Sequence, residues 1–176
     1  MQQDRPALAR MNELLRQWEQ TDDRRVIFLG CYALMTRNML AGLNTGQFHD
    51  PRWVRALLEH FAGYYFDALD ACEGGDPAAP VVWQRTFAAA ARPKTQALQN
   101  LLLGVNAHVN YDLTFAVADL LEAEWAGLSE VERKARHEVF CQVNRIIAGT
   151  VDEVQDEVLE RYAPAMDLVD KLLGPL

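Results

Sequence analysis

His108 and Asp112 stand four residues apart inside the most apolar stretch of the chain, LLLGVNAHVNYDLTFAVADLL from Leu101 to Leu121, together with Asn106 and Asn110. On an α-helix, at about 100° per residue, the imidazole and the carboxylate come within about 40° of each other on one face. Asp112 can then accept from an imidazole N–H, fix the tautomer and raise the basicity of the other ring nitrogen. That arrangement suits a general acid/base, and it also brings both groups toward one point where a divalent metal such as zinc could be held. His108 and Asp112 are therefore candidate catalytic residues and candidate metal ligands. Buried polar groups cost about 1–3 kcal/mol each unless partnered, so four of them in one apolar stretch need a reason. A structural reading stands beside the catalytic one: a satisfied His–Asp core pair, with the two Asn amides cross-linking neighbouring helices.

Gly104 falls one turn before His108 and Asp119 two turns after Asp112 on that face, while Asn106 and Asn110 fall on the opposite side. A glycine there lets another helix or a ligand approach closely. Asn106 and Asn110 are read as substrate-positioning groups in an apolar wall. Among the aromatic residues, which read first as core, Tyr64 is a candidate catalytic donor, and Tyr111, Tyr32 and Trp53 are candidate pocket walls. A metal site would need further ligands, and Asp22, Asp23, His49, Asp50, His60, Asp67, His137 and Asp152 are available without diagnostic spacing. Asp22 and Asp50 read as helix caps and His60 as a surface residue. His137 with Cys141 and Asn144 reads as a half-buried packing face. There is no G-x-S-x-G, phosphate-binding glycine loop, H-E-x-x-H or C-x-x-C.

The elements that must position these groups are helical, because apolar residues recur at three and four throughout. The fold class expected is all-α, a single domain over 1–176 made of six to seven helices around a buried central helix at about 94–125. The first helix spans about 6–19 with Leu8, Met11, Leu14, Leu15 and Trp18 on one stripe, a stripe that could pack within the chain or make a homo-oligomer. Thr21, Asp22 and Asp23 lead into a second, central helix at about 24–43. Asp50 before Pro51 signals the start of a third, about 51–72. The loop EGGDPAAP ends it, and a short helix follows at about 81–91. Ser129 with Glu132 is a capping box for a last long helix that Gly149 bends, before a final turn near Pro164.

The chain has 176 residues and a formal charge of -8, which opposes nucleic-acid binding. Its three cysteines, Cys31, Cys72 and Cys141, lie in apolar helical sequence and fit a reducing cytoplasm. Neither a signal peptide nor a membrane span is indicated.

GVNAHVNYDL, with DDRRVIF, TGQFHDPRW and FAGYYFDAL, resembles an uncharacterised bacterial, mainly actinobacterial, family of all-helical domains of unknown function, whose core looks like G-x-N-A-H-[IV]-N-x-D-L. The resemblance covers about Asp22 to Tyr162 and brings no established chemistry. His108 and Asp112 are also similar to the H-x-x-x-D pair of the zinc-dependent phospholipase C and P1 nuclease class, although Thr114 stands where that class often has proline. The function expected is a small cytoplasmic enzyme doing acid/base isomerisation or cyclisation on an apolar small-molecule substrate such as a natural-product intermediate. The alternatives are a metal-dependent hydrolase, implied by the second resemblance, and a non-catalytic binding or interaction domain.

Overall fold

A computed structural model describes residues 6–122, 124–154, 158 and 161. Over these the chain is helical, with no strand, as the spacing predicts. In order come α1 (Pro6–Gln20), α2 (Val26–Asn44), α3 (Pro51–Glu73), α4 (Val81–Ala90) and α5 (Ala97–Ala107). A π-helical turn (His108–Asp112), α6 (Leu113–Glu122), a 3₁₀ turn (Trp125–Gly127), α7 (Glu130–Gly149) and α8 (Val151–Val154) complete the set. The side chain of Asp152 and the turn expected at Pro164 lie outside the described residues.

α2 is apolar on nearly every face, so it must be surrounded. Its length and hydropathy would suit a membrane span as well as a core, and 67% of its most apolar window is buried inside the bundle. α1, α3, α5 and α7 all pack against it. The α1 stripe is spent within the chain: Leu8, Met11 and Trp18 join the core around Phe28, Leu29, Tyr65 and Trp83. A second core beneath α7 gathers Met39, Trp53, Val54, Leu57, Ala116, Val139 and Val143.

The helix starts follow the local chemistry. Asp50 accepts at 3.0 Å from the Trp53 N–H, with Pro51 at the first helical position. Ser129 and Glu132 form the reciprocal capping box of α7. At α2, Asp23 accepts from the Arg25 N–H, and Asp22 takes a left-handed φ of 53° in the turn. α7 does not bend at Gly149 but ends there, and α8 begins after Thr150. The helix expected at 94–125 is the composite α5, π turn and α6, and it is buried on one face only. Leu102 is 56% exposed, and Leu103, Val109 and Phe115 are also open to solvent.

Candidate functional site

Along the composite helix the buried face runs through Gly104, His108, Asp112 and Ala116 at a constant spacing of four. A regular α-helix would drift about 120° over those twelve residues and carry Ala116 out of the core. The π turn at His108–Asp112 takes up one extra residue, which removes about 100° of the drift and keeps the line facing inward. Asp119, expected on the same face, does not join this line. It is exposed and accepts from Tyr64 instead.

His108 is 4% exposed and Asp112 0%. His108 Nδ1 lies 2.8 Å from Asp112 Oδ2. Trp83, on α4, aims its indole N–H at the same carboxylate, 3.0 Å from Oδ1 and 3.1 Å from Oδ2. A carboxylate only accepts, so Nδ1 carries the proton and Nε2 presents a bare lone pair. Nε2 is buried and has no hydrogen-bond partner among the described residues. The ring is stacked on Phe61 at 3.6 Å and 9°, with Tyr32 edge-on at 4.1 Å and Phe28 at 5.6 Å. Burial among these rings lowers the His108 pKa, against the opposing pull of the Asp112 carboxylate, so the imidazole is neutral at physiological pH. Burial, and then Asp112, holds the Tyr32 hydroxyl well above its ordinary pKa, and it stays protonated.

Gly104 is what lets the cluster close. A Cβ there would lie 2.3 Å from Phe28 Cγ and 2.7 Å from Phe28 Cβ, so the ring of Phe28 rests directly on the helix backbone. Phe28 in turn contacts Tyr32, Tyr65, Trp83 and His108.

A family model described as a family of unknown function, DUF5995, matches residues 5–176. The chain belongs to that family. No curated protein and no solved structure matches it.

Of the residues singled out in the sequence, His108, Asp112 and Tyr32 meet in one cluster against Gly104; the other candidate site residues that the structure describes do not join it. Asn106 and Asn110 sit on the open side of the composite helix, where Asn110 donates to Asn106 at 2.8 Å. The expectation that they lie inside an apolar shell is corrected: that shell is absent because Leu102, Val109 and Phe115 around them face solvent. Tyr111 is half-buried edge-on to Phe115. Tyr64 donates to Asp119 at 2.6 Å in a surface groove with Glu59, His60, Gly63 and Asp67. That bond pushes its pKa up to about 12. Trp53 belongs to the second core, its ring under the Arg136 guanidinium at 4.8 Å. The residues missed as partners of the pair are Trp83 and Phe61. The signal for Trp83 was its indole N–H, which needs an acceptor once buried.

The metal reading is not favoured by the donor geometry. Nδ1 is committed to Asp112, and both carboxylate oxygens already accept from Trp83. Among the described residues no three His, Cys, Asp or Glu side chains converge as ligands. Asp50 caps α3 and pairs with Arg136, Asp23 pairs with Arg25, and His49, His60, Asp67 and His137 are exposed.

Proposed function

We propose that this protein is a small cytoplasmic enzyme in which His108 Nε2 is a general base toward an apolar small molecule, with Asp112 and Trp83 as positioning residues. The observation that supports this most is the bare, buried Nε2. A lone pair held without a partner costs about 1–3 kcal/mol, and here it is oriented from behind by a carboxylate that is itself oriented by an indole N–H. This is the relation of base and orienting acid that proton transfer requires. A neutral imidazole in an apolar wall takes a proton from a carbon beside a carbonyl, leaving an enolate. The imidazolium, stabilised by Asp112, then returns that proton to a second carbon, which is an isomerisation; in a cyclisation the enolate carbon first adds to a C=C or C=O carbon of the same molecule, whose π bond breaks, and the imidazolium returns the proton to the anion so formed, with no redox step in either case. Phe61 is stacked on the ring and is only half-buried, so its displacement would open a route for a substrate to reach Nε2.

A core network without chemistry is the second reading, favoured by the close stacking over His108 and by the surface placement of Asn106 and Asn110. The two separate by deuterium wash-in from D₂O into a panel of apolar carbon acids such as β,γ-unsaturated ketones. Wild type accelerates exchange of at least one member, and His108→Phe, which keeps the ring stack, does not. Exchange that is equal with and without His108 removes it from any mechanism and leaves the core network.

A further inference from the structure

Next to the aromatic cluster, between α2, α4 and α5, lies a void of about 10 Å³, room for one water. Its walls are Phe28, Trp83, Thr86, Phe87, Ala90 and Asn100, with the stems of Arg24 and Arg25 at its outer end. Asn100 is 4% exposed, and neither its side-chain nitrogen nor its side-chain oxygen has a hydrogen-bond partner among the described residues. A carboxamide offers two donors and two acceptor lone pairs, and one water meets at most one of each kind. Thr86 cannot donate to the Asn100 oxygen, because its hydroxyl donates to the Val82 carbonyl at 2.9 Å, and it makes no hydrogen bond with the Asn100 nitrogen. A double deficit of this kind inside a core of aromatic rings has a use only if something else completes it.

The void is separated from the surface by a thin closure. Arg24, Arg25, Phe87 and Ala90 line both the void and an open groove of about 590 Å³ that also meets Ala91 and Pro93. The closure is a polar latch: Arg24 donates to the Arg92 carbonyl at 2.9 Å and to the Thr95 carbonyl, holding the α4–α5 connection against the start of α2. Arg92 lies at the surface and Thr95 is half-buried, and both carbonyls and the guanidinium meet water once released, so this connection can open locally without unfolding the bundle. Once open, groove and void together have the size of a small-molecule site.

We infer that Asn100 is the anchor of a ligand site between α2, α4 and α5, for a small planar apolar molecule carrying an N–H beside a C=O, as a carboxamide, lactam or imide does. The paired donor and acceptor of the ligand edge match those of the Asn100 amide, and Phe28, Trp83 and Phe87 supply flat apolar walls. Phe28 and Trp83 also pack on His108, so an occupied site lies one ring away from the proposed base. The inference stands without the proton-transfer reading, since it concerns Asn100 and not Nε2.

The test is an NMR titration of the ¹⁵N-labelled full chain with benzamide, using toluene as the control that lacks the polar edge. Saturable shifts are expected at the Asn100 side-chain amide, the Trp83 indole N–H and the backbone N–H groups of Arg92, Lys94 and Thr95, with benzamide preferred over toluene about tenfold, the discrimination one matched hydrogen-bonding edge gives. Asn100→Leu abolishes that preference, and Ala90→Leu, which fills the mouth of the void and leaves the amide intact, weakens benzamide about tenfold or more. Absence of saturable shifts at these residues overturns the inference, and so does equal binding of benzamide and toluene, or unchanged binding in Ala90→Leu. If Asn100→Leu does not fold, the toluene control and Ala90→Leu decide. Deuterium wash-in reads the His108 proposal independently, so the two fail separately.

Discussion

Asp112→Asn keeps the shape of the cluster and inverts its proton order. In the wild type the carboxylate accepts from Trp83 and from His108 Nδ1. In the variant the carboxamide oxygen still accepts from Trp83, but the NH₂ donates to Nδ1, so the imidazole proton moves to Nε2. Two hydrogen bonds lose their charge assistance, at about 1 kcal/mol each. Burying a neutral group in place of an anion at a fully enclosed position offsets part of that. The expected cost is a stability loss of about 1–2 kcal/mol in urea unfolding, with the m-value unchanged. Long-range ¹H–¹⁵N correlation of the imidazole is the direct assay: Nε2 is the bare nitrogen in wild type and the protonated one in the variant. Deuterium wash-in, where wild type shows it, falls on the order of 10³–10⁴-fold, because the base has become a donor. A wild-type spectrum with the proton on Nε2, or a variant that leaves Nε2 bare, refutes the assignment of roles in this triad.

Gly104→Ala places a methyl group against the Cβ and Cγ of Phe28, whose ring packs against Tyr32, Tyr65, Trp83 and His108, so overpacking of about 1–3 kcal/mol outweighs the gain of up to about 1 kcal/mol in helix propensity. Thermal and urea unfolding should show net destabilisation, and a stabilised variant would mean that the Phe28 ring is not confined. Asp50→Ala removes the α3 cap and a partner of Arg136 together, with an expected loss of about 1–2 kcal/mol by urea titration. The His108 pKa is lowered from its ordinary 6.5 by burial, so between its folded pKa and 6.5 the unfolded chain binds more protons. Stability contributed by the neutral imidazole is then fully present above pH 6.5 and declines as pH falls toward the folded pKa. His108→Phe should lose that slope in pH-dependent unfolding, and an unchanged slope would assign it to other groups.

Local chemistry decided the helices. Asp50–Pro51, Ser129 with Glu132, the loop after α3 and the three-and-four spacing each act over one or two turns, so they are legible in sequence and recur in the structure. The His108–Asp112 contact was legible for the same reason, since both residues lie on one turn. Three things required the tertiary structure. The π turn changes the phase of a helix whose pattern was read at 100° per residue, and only the neighbours that must receive Gly104, His108, Asp112 and Ala116 select it; the run of fours was its trace in the sequence. The exposure of Asn106 and Asn110 depends on which face of the composite helix α2, α3 and α4 leave uncovered, and an apolar sequence on both faces does not state that. The pairing of Trp83 with Asp112, and the isolation of Asn100, join residues from different helices. Those depend on packing, where a hydrogen bond is made or lost by a displacement of an ångström that no local spacing specifies.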